Sequence, residues 1–182
     1  MSTKPPFNLY KWIEENRDLL KPPVGNKNLY NESGDYIVMI VAGPNARKDY
    51  HYNETEELFF QLEGNIEVHI QQDKQKKTMK LGPGDIYLHP AKIPHSPVRH
   101  EGSIGLVIER KRDQMQIKDG LLWFCDNCNH KLYETYFTFH DIEKDFLSHF
   151  KYFYGSEELR TCDNCGTVMP VDDRFTAKEE RA

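Results

Sequence analysis

The sequence has no long apolar run and no apolar segment near its start. Its longest apolar stretch covers residues 37–42, whereas a membrane-spanning helix needs about 20 such residues. The opening residues MSTKPPFNLYKW lack the apolar core of a secretory signal. We therefore expect no membrane partner and a cytoplasmic location.

Basic residues are also too few and too scattered to form a nucleic-acid site. The 24 Lys and Arg residues are outnumbered by 29 Asp and Glu residues, which gives a net charge of −5. A mildly acidic chain without a basic block is a poor ligand for a phosphate backbone, so we expect no nucleic-acid partner. Only 38% of the residues are apolar, but ten Phe and ten Tyr supply core material. A chain of 182 residues is long enough for one sizeable core.

Short apolar or alternating runs, separated by turn residues, fill the sequence from Tyr36 to Lys111. Closely spaced strands of this kind predict a mainly β fold, either an antiparallel sandwich or a barrel. The run 104–108 is apolar on both faces, which predicts a strand buried on both sides. The predicted strands are 36–42, 57–62, 65–72, 76–81, 85–89 and 103–111.

Two segments have helical spacing instead. Residues 9–20 form one, with Asn8 as its N-cap and Pro22-Pro23 after its end. The other lies late in the chain and is closed by Gly155. Its apolar face comprises Ile142, Phe146, Phe150 and Phe153. We expect residues 176–182 to be a frayed, charged tail.

The four cysteines form two copies of one tetrapeptide, Cys125-Asp-Asn-Cys128 and Cys162-Asp-Asn-Cys165. Four thiolates from two such knuckles predict a tetrahedral site for zinc or iron. Two redox-active cysteine pairs are the alternative, although no thioredoxin-like pattern surrounds either. Composition also changes after about residue 112. We therefore predict a catalytic core with an N-terminal helix over residues 1–115, followed by a cysteine-bearing extension over 116–182.

A second set of metal-binding residue types comprises His51, Glu57 and His95. Two imidazoles and one carboxylate are the facial ligand set of non-haem Fe(II), and they leave positions open for substrate and dioxygen. Glu54 and Glu56 compete with Glu57 for the carboxylate position. Residues 51 and 57 share a face in an extended chain, which favours Glu57. His89 is a weaker candidate for a further ligand.

These residues stand in motifs that resemble a known superfamily. The order His51-x-Asn53-x3-Glu57-x6-Gly64 resembles the first cupin motif, and Gly84-x5-Pro90-x3-Pro94-His95 resembles the second. The usual first motif has a second histidine where this chain has Asn53. The resemblance implies a cupin, that is, a double-stranded β-helix or jelly-roll barrel, with flanking helices and a small tetracysteine extension.

A closer resemblance involves six further segments. They are similar to the 3-hydroxyanthranilate 3,4-dioxygenase family, and the CDNC pair is similar to the rubredoxin-like metal site of its bacterial and fungal members. The segments are Asn26, Arg47, the run 49–53, the run 56–61, Pro94-His95-Ser96-Pro97-x-Arg99, and the run 105–110.

This resemblance implies a reaction and a set of roles. The enzyme would use Fe(II) and O2 to convert 3-hydroxyanthranilate to 2-amino-3-carboxymuconate semialdehyde, the quinolinate precursor on the kynurenine route to pyridine nucleotides. Arg99 would bind the substrate carboxylate, Glu109 its amine or hydroxyl, and Arg47 would lie near dioxygen. Glu57, as an iron ligand, would face the substrate, and Asn26 would be a further substrate contact.

Other interpretations of the residues stay open at this point. Arg47 and Arg99 also fit ordinary surface arginines, and Glu109 also fits an ion pair with Arg110 or Arg112. The cupin motifs alone are compatible with a thiol dioxygenase, an isomerase or a non-enzymatic binding module, because cupins host many chemistries. A homodimer is left open too.

Overall fold

The computed structural model describes residues 5–21, 25–32, 34–45, 47–112, 115, 117–138 and 142–175, without the side chains of 142–145. Within these ranges three α-helices, α1–α3, and eleven strands, β1–β11, follow one another along the chain. No described helix combines the length and the apolar character needed to cross a bilayer. The Pro22-Pro23 stop and the tail 176–182 lie outside the described residues. The helices are α1 Leu9–Asn16, α2 Ile142–Gly155 and α3 Glu157–Arg160; the strands are β1 Asn26–Asn28, β2 Tyr36–Ala42, β3 Tyr50–Tyr52, β4 Glu57–Glu63, β5 Ile66–Gln72, β6 Gln75–Leu81, β7 Ile86–His89, β8 His95–Arg99, β9 Ile104–Arg110, β10 Asp119–Phe124 and β11 Lys131–Phe137.

The strands form two antiparallel sheets. The first has the order β1-β2-β9-β4-β7 and the second the order β11-β10-β3-β8-β5-β6. Strands β2 to β9 are therefore divided between the sheets into two sets of four, with the orders β2-β9-β4-β7 and β3-β8-β5-β6. This is the strand order of a jelly roll. The prediction of a mainly β, cupin-type barrel is confirmed.

The barrel interior is filled by the inward face of both sheets. Side chains from β2, β4 and β9 of the first sheet meet those of β5 and β6 in the second. Alternation along each strand produces this layer, because every second residue of a strand points to the same side. The buried members are Met39, Phe59, Ile66, Val68, Ile70, Leu81 and Val107.

The outer face of the first sheet is apolar as well. One row across β2, β9, β4 and β7 is Ile40-Leu106-Phe60-Ile86, and the next row is Val38-Ile108-Leu58-Leu88. Helix α1 covers part of this face with Ile13, which is 1% exposed. Asn8 caps this helix as predicted, since its side chain accepts from the Lys11 backbone N–H.

The C-terminal part continues the second sheet rather than standing apart from it. Strand β10 pairs with β3 of the barrel on one side and with β11 on the other. Helix α2 then packs on β10, where Phe153 stacks on Trp123 with ring centroids 4.3 Å apart. The division at residues 115 and 116 stays a prediction, and it falls just before a strand that pairs with the barrel.

Candidate functional site

The three residues of the predicted iron site come together inside the barrel. His51 on β3 is directly opposite His95 on β8, and Glu57 begins β4 in the facing sheet. One ligand atom from each lies within 4.8 Å of the others, and all three residues are buried. Glu54, in contrast, is half-buried near Lys92, and Glu56 is exposed. The structure therefore groups Glu57, and not its acidic neighbours, with the two histidines.

The electrostatics of this cluster fit a bound cation. Burial raises the pKa of the Glu57 carboxyl, but the nearby imidazoles of His95 and His51 outweigh burial and lower that pKa to about 2. Burial also lowers the pKa of His51, against the opposing effect of Asp119. His51 Nε2 is buried and has no hydrogen-bond partner in the described part of the chain. An ionised Glu57 carboxylate, and a His51 imidazole whose burial disfavours protonation, are in the forms that metal ligation requires.

Asn53 has a local structural task at the position where the common cupin motif has histidine. Its side-chain oxygen accepts a hydrogen bond from the Thr55 backbone N–H at 2.8 Å. Such an Asx turn reverses the chain between β3 and β4, and thereby places His51 and Glu57 on facing sheets. The backbone oxygen of Asn53 also accepts from the Lys92 N–H, which ties this turn to the segment before His95.

His89 is close to the cluster, but both of its ring nitrogens are engaged. Nε2 donates to the Ile93 carbonyl at 2.7 Å, and Nδ1 lies 3.1 Å from the Tyr87 hydroxyl. These partners define one neutral tautomer and leave no free nitrogen for a metal. Burial and the neighbouring His95 lower the pKa of His89 to about 4, which keeps the ring neutral.

Arg99 lies on the same strand as His95 and is only 3% exposed. Residues 95–99 are extended, so the two side chains share a face. Nη1 of Arg99 has no hydrogen-bond partner among the described residues, and burial lowers the pKa of its guanidinium to about 10. A buried cation of this kind is costly unless an anion joins it.

Gly105 makes the space that Arg99 uses. A Cβ built on this glycine would lie 2.9 Å from Arg99 Nη1 and 2.8 Å from Gln61 Oε1. The backbone of Arg99 is fixed as well, since its N–H donates to Asn45 Oδ1 at 2.9 Å. The fold thus holds a guanidinium at one place inside the barrel and leaves its end unsatisfied.

Glu109 is 4% exposed and opposes Glu57 on the neighbouring strand. Burial, together with Glu57, raises the pKa of its carboxyl to about 7, although Arg112 opposes the shift. Arg112 Nη1 donates to Glu109 Oε2 at 2.6 Å. The ion pair with Arg112, one of the two alternatives that the sequence left open, is present beside the site.

The remaining two predicted residues differ in their surroundings. Arg47 forms an ion pair with Asp49, and its guanidinium lies 6.0 Å from the centre of the Phe146 ring. Phe146 in turn lies 5.3 Å from the ring centre of His51. Asn26 is exposed on the edge strand β1, opposite Val41, rather than on a loop. The roles of both residues stay predictions.

Sequence reasoning missed one buried acid at the site. Asp119 is fully buried at the start of β10, and its Oδ2 lies 3.7 Å from His51 Nε2. A single acid directly before the apolar run 120–124 was the available signal, because a charge at the edge of such a run needs a partner.

The four cysteines form a second compact cluster, as predicted. The Sγ atoms of Cys125 and Cys165 are 3.6 Å apart, and those of Cys128 and Cys162 are 3.5 Å apart. All four thiols are free. These separations are too long for disulfides, whose sulfurs are about 2.05 Å apart. They match thiolates that surround one tetrahedral ion.

The two knuckles are built alike. In the first, the Asn129 N–H donates to the Cys125 carbonyl; in the second, the Gly166 N–H donates to the Cys162 carbonyl. Asn129 and Gly166 occupy the same place after each tetrapeptide, and both have a positive φ. The asparagine of each tetrapeptide donates to a cysteine of the other one: Asn127 Nδ2 donates to Cys165 Sγ, and Asn164 Nδ2 donates to Cys128 Sγ.

Fold and site together define a cupin-type barrel with a candidate His-Glu-His metal centre inside it and a candidate four-thiolate centre beside it. The family model of 3-hydroxyanthranilic acid dioxygenase matches residues 1–154, and the chain belongs to this family. It is accordingly an enzyme of the dioxygenase class, and the resemblance seen in its motifs is confirmed.

Individual relatives agree with the family. The chain is 52% identical, over 175 residues, to the 3-hydroxyanthranilate 3,4-dioxygenase of Xanthomonas campestris pv. campestris (strain 8004), covering 96% of this chain and 98% of that one. It is 43% identical to the enzyme of the same name from Bacillus cereus (strain ATCC 10987), covering 91% and 92%. A crystal structure of a cupin-2 domain containing protein from Shewanella frigidimarina has a TM-score of 0.46 and 19% identity, covering 54% and 92%.

Proposed function

We propose that the chain cleaves the ring of 3-hydroxyanthranilate with O2, using Fe(II) held by His51, Glu57 and His95. One observation carries the proposal: Arg99, a buried cation whose Nη1 has no hydrogen-bond partner in the described part of the chain, lies inside the same barrel as a buried His-Glu-His set. A substrate that carries both a carboxylate and metal-binding groups would satisfy the two features together.

The residues present suit this metal. His51 Nε2 is a buried nitrogen with no hydrogen-bond partner among the residues that the structure describes, and Glu57 Oε2 lies 3.0 Å from His95 Nε2. Two imidazoles and a carboxylate are the donor set of non-haem Fe(II) oxygenases. Held by His51, Glu57 and His95, Fe(II) would supply open coordination positions and the redox chemistry that activates dioxygen toward the substrate.

The side chains of the site orient the substrate and handle its charge. Arg99 binds the carboxylate as a two-pronged donor, which fixes the plane of the ring. Glu109 accepts a hydrogen bond from the substrate amine or hydroxyl and takes up a proton there. Because the pKa of Glu109 is raised to about 7, its carboxyl group can be ionised to accept the hydrogen bond and can also hold the proton near neutral pH. Arg47 stabilises the negative charge that develops on dioxygen during the reaction.

The overall chemistry is balanced. The C3–C4 bond of the ring breaks, and both atoms of O2 enter the product, 2-amino-3-carboxymuconate semialdehyde. No other oxidant or reductant is consumed. The product closes to quinolinate without an enzyme, so the reaction belongs on the kynurenine route to pyridine nucleotides. Asn26 remains a proposed outer substrate contact.

The four-thiolate site has a separate, structural task in this proposal. A closed set of four thiolates leaves no position for substrate or dioxygen, and either zinc or iron suits it. Hydrogen bonding with Thr167, together with the bond that Asn127 Nδ2 donates, lowers the pKa of the Cys165 thiol to about 5, which favours the thiolate. Four free thiols persist in a reducing compartment, which supports the cytoplasmic location.

A homodimer is also proposed, through the outer face of the first sheet. Ile86 and Leu88 on the edge strand β7 are 68% and 54% exposed, and they end the two apolar rows described above. A patch of this composition can meet its own copy across a two-fold axis. Size-exclusion chromatography with light scattering tests this; an Ile86→Lys variant should be monomeric.

One assay tests the proposed reaction. Fe(II)-loaded protein is mixed with 3-hydroxyanthranilate in air, while oxygen uptake and ring cleavage are followed together. We expect one O2 consumed per ring cleaved. Turnover without O2 would indicate an isomerase, and preference for a small thiol would indicate a thiol dioxygenase. Binding without turnover would indicate a non-enzymatic cupin.

A further inference from the structure

Arg112 lies in the connection between β9 and β10, where its guanidinium contacts two buried carboxylates. Nη1 donates to Glu109 Oε2 at 2.6 Å, and Nη2 donates to Asp119 Oδ2 at 3.1 Å. Nε lies 2.8 Å from Asp119 Oδ1, so the guanidinium faces both oxygens of that group. The side chains of Arg112, Glu109 and Asp119 are 0%, 3% and 0% exposed.

The two carboxylates belong to different sheets and face different parts of the site. Glu109 is on β9 in the first sheet, opposite the metal ligand Glu57. Asp119 begins β10 in the second sheet, 3.7 Å from His51 Nε2. Contacts through Arg112 therefore lead from the proposed substrate contact to one of the proposed metal ligands.

The chemistry of this position calls for arginine. Two buried carboxylates share one cation, and each is stable only while it is paired. Arginine carries five N–H donors in a rigid plane, so it can serve both groups at once. A lysine ammonium keeps the charge but is a compact point without that fork.

We propose that Arg112 is a positioning residue of this enzyme. It fixes the carboxylate of Glu109 on the substrate side and that of Asp119 beside His51, so that the two sides of the site keep one relative position. The inference rests on the proposed role of Glu109 as a substrate contact.

The test compares Arg112→Lys with Arg110→Lys, because Arg110 is exposed at the end of the same strand. Dissociation constants are measured without oxygen, on Fe(II)-loaded protein, for 3-hydroxyanthranilate and for 2-aminophenol, which lacks the carboxylate. Arg112→Lys should weaken both ligands at least about tenfold, because Glu109 contacts groups that both share. Affinities are compared at equal iron loading, and Arg110→Lys should leave affinity within about twofold.

A double-mutant cycle with Glu109→Gln separates positioning from general damage. If Arg112 acts through Glu109, adding Arg112→Lys to Glu109→Gln should weaken binding by no more than about twofold further. The inference would be overturned if the fold-losses in affinity of the two single variants multiplied in the double variant. It would also be overturned if Arg112→Lys bound both ligands like the wild type. If Glu109→Gln itself binds normally, the proposed role of Glu109 fails first.

Asp119→Asn covers the case in which Arg112→Lys does not fold. This change keeps the shape of the side chain and leaves Arg112 paired with Glu109. We expect it to weaken both ligands, and to do so non-additively with Glu109→Gln, because Arg112 contacts both carboxylates. Normal ligand binding by Asp119→Asn would contradict the proposal, and so would fold-losses in affinity that multiply when Asp119→Asn and Glu109→Gln are combined.

Discussion

Glu57 Oε2 lies 3.0 Å from His95 Nε2 although the two residues belong to opposite sheets of the barrel. The contact is formed across the interior and joins the sheets at the proposed metal site. Removing the carboxylate should therefore lose iron without unfolding the protein, because three ligands around a site are not a hydrophobic core. We expect Glu57→Ala to lower iron content and abolish turnover, with a near-normal circular dichroism spectrum.

Glu54→Ala is the matched control, since Glu54 is a neighbouring acid that lies near Lys92 rather than near the histidines. It should keep iron and activity. The ligand assignment would be wrong if Glu54→Ala lost both while Glu57→Ala kept them. His51→Ala and His95→Ala should resemble Glu57→Ala.

Arg99 provides the second prediction. Arg99→Ala should weaken 3-hydroxyanthranilate binding by about 2–5 kcal/mol, the usual cost of removing one partner from a desolvated charge pair. Arg99→Lys should rescue only part of this, because an ammonium lacks the forked donors. Affinity for 2-aminophenol, measured in parallel by anaerobic titration, should change much less; equal losses for both ligands would refute a carboxylate role.

Gly105→Ala should reproduce part of the Arg99 defect without touching the charge. The new methyl would lie 2.9 Å from Arg99 Nη1, and the cheapest response is a shift of that flexible side-chain end. We expect weaker binding of 3-hydroxyanthranilate, normal binding of 2-aminophenol and unchanged iron content. Gly155→Ala is the control, because a Cβ there meets nothing within 4 Å. If Gly105→Ala impaired both ligands equally, a general distortion would explain it better.

Much of the barrel could be predicted because its long strands carry their own signal. Strand β2 has the predicted bounds, and β9, predicted as 103–111, is Ile104–Arg110. Both are long apolar runs between turn residues. Strands β3 and β8 were not predicted, since Tyr50–Tyr52 is too short for a period and His95–Arg99 contains a proline. Their pairing with neighbouring strands makes them extended.

The candidate site, like the fold, could be predicted from the sequence only in part. Motif spacing pointed to His51, Glu57 and His95, although His51 and Glu57 meet across facing sheets, after the turn at Asn53, rather than on one face of an extended strand. The contact between Arg112 and Asp119 could not be predicted from motif spacing, because it depends on how the chain after β9 returns to the second sheet. Fixed spacing describes neighbours within an element, whereas Arg112 connects Glu109 of the first sheet to Asp119 of the second.

His89 gives a prediction for pH. An unfolded histidine binds a proton near pH 6.5, whereas burial and His95 lower the pKa of folded His89 to about 4. Between these values the unfolded chain binds more protons, so acid favours unfolding. His89 should therefore cost the metal-free protein about 1–3 kcal/mol of stability as pH falls from about 6.5 to about 4.

His89→Gln should make that loss shallower. Urea unfolding at about pH 7.5 and about pH 5 measures it, and because Glu109 titrates within this range in both proteins, the variant is compared directly with the wild type. The difference in unfolding free energy between the two pH values should be smaller in the variant than in the wild type. An identical difference would mean that His89 does not stay neutral in the folded protein.

The last prediction concerns the four thiolates. Cys125–Cys128 follows β10, and Cys162–Cys165 follows α3, so an ion between them ties the ends of the segment that contains α2. Binding energy at such a site contributes to folding. Losing about 3 kcal/mol would lower Tm by roughly 6–12 °C in a chain of this size. Cys162→Ser should show such a drop and faster proteolysis of the C-terminal segment. Asp163→Asn, an exposed change in the same knuckle that keeps all four thiolates, should not.

The folded fraction of Cys162→Ser, reloaded with Fe(II), should keep most of its turnover per catalytic iron, because the His-Glu-His set lies in the barrel. A variant that stayed folded and iron-loaded but was inactive would place the cysteines in the chemistry and contradict a structural role.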